Sequence, residues 1–262
     1  MSGPQRIVCL TEETTELLYA LGEQDRIVGI SAFTERPARA KQEKPIVSAF
    51  TGGSVRRIRA LEPDLVVGFS DVQAELAAQL IHANLPVLVT NQRSVSEILE
   101  TMQLMGRIVD ASDEVELLIA DWERRCSARQ KTIAGLPRPR VYFEEWDDPQ
   151  LSAILWVSEL IELAGGVNIF ADRAAGKASR ERTVQPEEVL ERKPDLIIGC
   201  WCGKPLDEPA LRAREQYGTL PAVQANQIVE MDPAIILQPG LAALTDGFDT
   251  LCQVIDEARV SL

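Results

Sequence analysis

Histidine is almost missing from this chain. There is one, His82, which excludes a metal held by several imidazoles. Positive charge is also short: 27 Lys and Arg stand against 40 Asp and Glu, for a net charge of −13. Nothing basic is concentrated enough to displace phosphate counterions, which argues against nucleic acid and against anionic lipid as partners. No apolar run approaches the roughly 18 residues of a membrane helix. The five cysteines (9, 126, 200, 202 and 252) are odd in number and lack the spacing of a disulfide framework. The opening Met-Ser-Gly-Pro-Gln-Arg is not a cationic segment followed by an apolar one, so no secretory signal is visible. These absences together lead us to expect a cytoplasmic protein, or a periplasmic one if a leader has been removed. No Gly-X-Ser-X-Gly, dinucleotide fingerprint or Walker Lys-Ser/Thr occurs, which weakens hydrolase, dehydrogenase and nucleotide-binding readings. Gly165-Gly166 follows a helix and reads as its C-cap.

What is present is a repeat. Pro63-Asp64-Leu65-Val66-Val67-Gly68 returns half a chain later as Pro194-Asp195-Leu196-Ile197-Ile198-Gly199, each copy after a charged helical stretch. Arg6-Ile7-Val8 is echoed by Arg140-Val141-Tyr142, and Thr15–Gly22 by Ser158–Gly165. Short apolar strands alternate with amphipathic helices in both halves, which implies parallel sheets covered on both faces. Expected strands are Arg6–Leu10, Ile27–Ile30, Leu65–Phe69, Pro86–Thr90, Val141–Phe143, Leu196–Gly199 and Gln227–Met231. Expected helices include Gln73–Ala83, Glu208–Gln216 and Leu244–Ala258. From Val95 to Ile133 the pattern is helical, broken near Asp110–Asp113, with Ser94 and Glu97 placed for a capping box. The fold class is α/β: two Rossmann-like lobes with parallel sheets joined by a long rigid backbone helix. The expected division is an N-terminal lobe over 1–107, a bridging helix over 108–138 and a C-terminal lobe over 139–262, with a ligand cleft between the lobes.

This layout resembles the helical-backbone family of periplasmic binding proteins, the receptors for cobalamin, siderophores and haem that serve ABC importers. Within it the likeness is greatest to the cobalamin-binding receptors. It rests on Arg6–Leu17, Ile58–Val66, Glu162–Phe170 and Leu220–Val223, in that order, and covers essentially the whole chain. The resemblance implies a surface glutamate at the start of one helix in each lobe, pairing with arginines of the transporter. Glu187 of Gln185-Pro186-Glu187-Glu188 matches. The corresponding position of the first lobe holds Arg56, which would turn attraction into repulsion. That departure, with the absent leader, points away from an importer partner and toward an intracellular binder.

In such folds the ligand sits against the loops that follow strand C-termini. This rule selects Thr11, Glu12, Glu13, Phe33, Phe50, Phe69, Asp71, Glu145, Trp146, Trp201, Cys202 and Gln238 as ligand-binding residues. Phe50 and Phe69 match aromatic positions of the family. The chain has only six Phe, four Trp and three Tyr, so five aromatic residues at expected strand ends is an enrichment suited to a large planar ligand. Glu144-Glu145-Trp146-Asp147-Asp148 crowds four carboxylates together. It reads as ligand-lining, as an acidic solvent loop, as a hard-cation site or as a paired acid and base. Cys200-Trp201-Cys202 has no second pair at zinc-site spacing, so a closed four-ligand site is not expected. His82 reads as structural.

The expected function is non-enzymatic binding of a corrinoid or similar small-molecule metal chelate, with no cofactor required, for intracellular storage, transfer or sensing. One alternative is an exported iron–siderophore or haem receptor of an ABC importer. The other is a metal-dependent hydrolase or chelatase using the Glu144–Asp148 cluster.

Overall fold

The computed structural model describes residues 3–49 and 51–262. By contact the chain divides into two compact units, Met1–Asp121 with Gln238–Ala242, and Trp122–Leu237 with Ala243–Leu262. This partition differs from the three-part division read from the sequence. The helix expected as a separate bridge, Ser112–Ile133, belongs partly to each unit, and five residues far down the chain belong with the first. At 22 residues that helix is about 33 Å long. Its neighbour Val95–Ile108 starts at the expected capping box, where Ser94 Oγ accepts from Glu97 N and the Glu97 carboxylate accepts from Ser94 N.

The first unit holds β1 (Ile7–Cys9), β2 (Ile27–Ser31), β3 (Ile46–Ser48), β4 (Leu65–Phe69) and β5 (Val87–Thr90), all parallel, in the order β3-β2-β1-β4-β5. Helices cover the faces of such a sheet, so β1 is buried throughout. Val8, Leu10, Val47, Ile58, Val66, Leu76 and Leu80 form its core. The short strand β3 was not expected, because Pro45-Ile46-Val47-Ser48 is too brief to show a period.

The second unit holds β6 (Arg140–Asp147), β7 (Gln150–Ser152), β8 (Val167–Asn168), β9 (Leu196–Gly199) and β10 (Ile228–Glu230). The order is β10-β9-β6-β7, with β8 also on β6. Its core is built on Tyr142, Phe170, Val189, Ile197, Leu211 and Tyr217. Trp122 meets Phe248 edge-on at 5.0 Å between ring centres. The closing helix runs Phe248–Arg259, after a wide turn over Ala243–Gly247. The expected helix Glu208–Gln216 stops at Arg212.

The repeated hexapeptide has the same structural use in both units. Asp64 accepts from the backbone of Gln5 and Arg6 at 2.7 and 2.8 Å. Asp195 accepts from the backbone N of Arg140 at 2.8 Å and from its guanidinium at 2.9 and 3.1 Å. Each aspartate therefore fixes β4 on β1, or β9 on β6, in register Ile7↔Leu65 and Val141↔Leu196. The glycine that closes each copy admits a crossing side chain. A Cβ on Gly68 would lie 2.7 Å from Gln73 Oε1, and one on Gly199 would collide with Leu206.

Candidate functional site

Ligands of open parallel sheets bind at the carboxyl ends of the strands, and each unit presents such an edge. In the first, the chain leaves β1 through Thr11 into helix Glu12–Ala20. Thr11 is half-buried, and its hydroxyl donates to Glu13 at 2.7 Å instead of capping the helix. Glu12 and Glu13, both expected to line the ligand, are 3% and 5% exposed. Burial is the main cause that raises Glu12 to about 8 and Glu13 to about 7, with the neighbouring Glu16 charge adding to it. One Glu12 oxygen, Oε1, has no hydrogen-bond partner. Glu16 is engaged: it accepts from Arg36 at 2.7 Å and from the backbone N of Ala242 at 3.0 Å. Gln92 donates to the carbonyl of Pro239 at 3.0 Å, and a Cβ on Gly240 would lie 2.5 Å from that of Glu13. These contacts bring the segment Gln238–Ala242 to this edge. Gln238, expected on the second lobe, thus sits half-buried in the first unit.

Also at this edge, Phe33 is 49% exposed. Phe69 is half-buried under the Arg93 guanidinium, 5.3 Å from the ring centre, and Arg93 also reaches the exposed Asp71 at 3.5 Å. Phe50 lies outside the described residues. His82 ends helix Ala74–His82, exposed. That helix starts at the carboxyl end of β4 and returns to the start of β5, so His82 lies at the sheet edge opposite the strand ends.

In the second unit the expected acidic loop is the end of a strand. Glu144–Asp147 continue β6 and pair with β7 in an antiparallel hairpin turned by Asp148-Pro149. Three of the carboxylates are ion-paired, so the segment is not a free acidic loop. Glu144, fully buried, accepts from Arg214 at 2.5 and 2.9 Å, from Tyr142 Oη at 3.0 Å and from Trp201 Nε1 at 3.1 Å. Glu145, expected to meet the ligand, is held by Arg182 at 2.5 and 3.0 Å. Asp147 accepts from Lys204 at 2.7 and 2.8 Å. Burial pushes the Asp147 carboxyl up, and Lys204 outweighs it, holding the group below the usual range. Among the described residues no group of three His, Cys, Asp or Glu is arranged to hold a metal ion.

Trp146 is half-buried, with Nε1 donating to Asp148 O at 2.9 Å. Trp201, expected to open onto the ligand, is only 3% exposed; the Glu144 hydrogen bond fixes its edge, and Lys204 covers its face at 4.8 Å. It lines an open hollow of about 440 Å³ with Gly203, Lys204, Pro205, Glu230, Asp232 and Pro233. Cys200 is buried, with its thiol pushed up by burial, and Cys202 is exposed. Glu187 is exposed in the first turn of helix Pro186–Arg192, and Arg56 is exposed on helix Val55–Ala60. Sequence reasoning missed Gln92, Arg182 and Arg214, which are remote in the chain from what they hold. Lys204 stood beside a quoted motif, and its place over two indoles had no signal.

The family model described as periplasmic binding protein matches residues 7–235, and the chain belongs to that family. A vitamin B12-binding protein of Yersinia pestis (strain Pestoides F) is 26% identical over 197 residues, covering 74% of this chain and 69% of its own length. Among solved structures, a possible iron-binding, periplasmic solute-binding protein from Staphylococcus epidermidis superposes with a TM-score of 0.83 at 20% identity, covering 97% of this chain and 99% of that one. The periplasmic vitamin B12 binding protein of Vibrio cholerae gives 0.77 at 22% identity, over 98% and 99%. At these identities the superpositions show the fold.

Proposed function

We propose that the chain is a non-enzymatic binding protein for a large metal-chelate ligand, and that this ligand is a corrinoid. The observation that carries the reading is the likeness, over three quarters of the chain, to a protein named for binding vitamin B12. The second unit's strand ends support it. There the half-buried Trp146 presents part of an indole, and a flat ring suits a broad macrocycle because dispersion grows with contact area.

The iron-binding neighbour motivates a second reading, an iron chelate or haem. Haem iron is commonly held by a histidine or tyrosine. Here Tyr142 and Tyr217 are fully buried, Tyr19 is 8% exposed, and His82 lies away from the strand ends. A corrinoid, which can arrive with its own axial ligands, asks less of these residues.

The test is titration of the purified protein with aquocobalamin and dicyanocobinamide, followed by visible absorbance and calorimetry. Binding at micromolar strength or better is expected. Trp146→Ala should weaken it by about tenfold, the worth of one good aromatic contact. Flat titrations with both corrinoids, beside a positive one with haemin or a ferric chelate, would move the assignment to the second reading.

A further inference from the structure

The ammonium of Lys204 lies 4.5 Å from the ring centre of Trp146 and 4.8 Å from that of Trp201. Asp147 closes a third side with both oxygens on the same nitrogen, at 2.7 and 2.8 Å. Both indoles are fixed at their edges. Trp146 Nε1 is tied to Asp148 O. Trp201 Nε1 is tied to Glu144, which Arg214 holds in turn. Two π faces and a carboxylate converging on one point favour a cation by the ring quadrupoles and by charge together. The structure shows a cation already seated there.

That cation is tethered loosely. Its side chain is 40% exposed, on a flexible stem, and it follows Gly203 in a left-handed turn at φ +84°. Removing it from the rings requires no core residue to move. The hollow beside it is acidic, with Glu230 and Asp232 on its wall, and Lys204 is the one cation among the residues lining it. An incoming positive group therefore meets carboxylates on the same wall that carries Lys204 and the Trp201 ring.

We propose that Trp146, Trp201 and Asp147 form a cage for a cationic group, an alkylammonium or quaternary ammonium of a small molecule, and that Lys204 is its resident occupant, displaced as that group enters. This goes beyond the corrinoid reading, because the amide side chains of a corrinoid carry no ammonium, and it rests only on the second unit's strand ends being a ligand surface. Its test needs no corrinoid.

The full chain and its Lys204→Ala variant are titrated with tetramethylammonium chloride against sodium chloride at equal ionic strength, reading tryptophan fluorescence. The variant should give a saturable change, with an apparent Kd about tenfold or more below that of the unaltered chain, because a tethered competitor acts at millimolar effective concentration. Adding Trp146→Leu should abolish the change. In the unaltered chain, tetramethylammonium should raise acetylation of Lys204, read by mass spectrometry, severalfold above its effect on other lysines. No saturable response in Lys204→Ala overturns the cage, as does a response that survives Trp146→Leu. Equal affinity with and without Lys204, or unchanged acetylation, overturns its role as occupant. Corrinoid binding that persists through such a failure would leave the proposed function standing, and flat corrinoid titrations would leave the cage standing.

Discussion

Arg214→Met leaves Glu144 without its cation in a fully buried position. The pair is unequal: the arginine side chain keeps 19% of its exposure and the carboxylate none. Burial works against the Arg214 charge, and the Glu144 hydrogen bonds and charge overcome it, so the guanidinium pKa is raised. Removing one partner of such a pair costs about 3–5 kcal/mol. A second route caps that figure. A carboxyl stranded in an apolar site takes up a proton instead of staying charged, and doing so at pH 7 costs an ordinary glutamate of pKa about 4.3 roughly 3.7 kcal/mol. The same step at pH 5 costs only about 1 kcal/mol. The variant should therefore lose about 3–4 kcal/mol at pH 7 and much less at pH 5.

The assay is urea unfolding from pH 5 to 8, with near-ultraviolet circular dichroism and tryptophan fluorescence, comparing the transition of the second unit. By heat, the loss at pH 7 corresponds to a fall of roughly 10 °C for a unit of this size. Glu144→Gln in the Arg214→Met background should recover most of the loss at pH 7, because the amide is neutral and still accepts from Trp201. Two results would refute the reasoning: a cost below about 1 kcal/mol at pH 7, where exposed pairs fall, or a cost that does not change with pH.

Two further predictions concern folding. Glu12 and Glu13 are raised to about 8 and about 7 in the folded chain, so the first unit binds protons that its unfolded chain would release. Its stability is fully present below the ordinary glutamate range and is lost as pH rises through 7 and 8; Glu12→Gln should flatten that fall in urea unfolding and stabilise the first unit at pH 8. Asp64→Ala and Asp195→Ala should each cost about 0.5–1.5 kcal/mol through lost hydrogen bonds at exposed strand ends, the first in the transition of the first unit and the second in that of the second, with Asp195→Ala larger because it also strips the Arg140 guanidinium.

Much of the fold could be read from the chain because its signals are local. Ser94 and Glu97 announce a helix start within four residues, and Leu196-Ile197-Ile198 is a buried strand by composition alone. The errors fall where partners are distant. Glu144 through Asp148 look like a loop because four carboxylates stand in five positions. Arg214 and Arg182 make a strand of them, and they are far along the chain with no spacing rule that joins them. Glu12 and Glu13 read as ligand-lining carboxylates, and their burial has no local signal either. What buries them includes the segment around Gly240, which approaches because that residue has no side chain.

The repeat shows which part of the chain answers to folding. Pro63 and Pro194 break the preceding helix, Asp64 and Asp195 fasten neighbouring strands, and Gly68 and Gly199 admit a crossing side chain. All are duties each sheet must meet, and both copies meet them with the same residues. Beyond the glycine the copies diverge at once, into Phe69-Ser70-Asp71 and Cys200-Trp201-Cys202. The first continuation places a phenylalanine under Arg93, and the second an indole under Lys204. No requirement of a parallel sheet distinguishes the two. Where a shared scaffold stops dictating residues the two edges become chemically different, and it is there that the proposed binding reading finds its candidate residues.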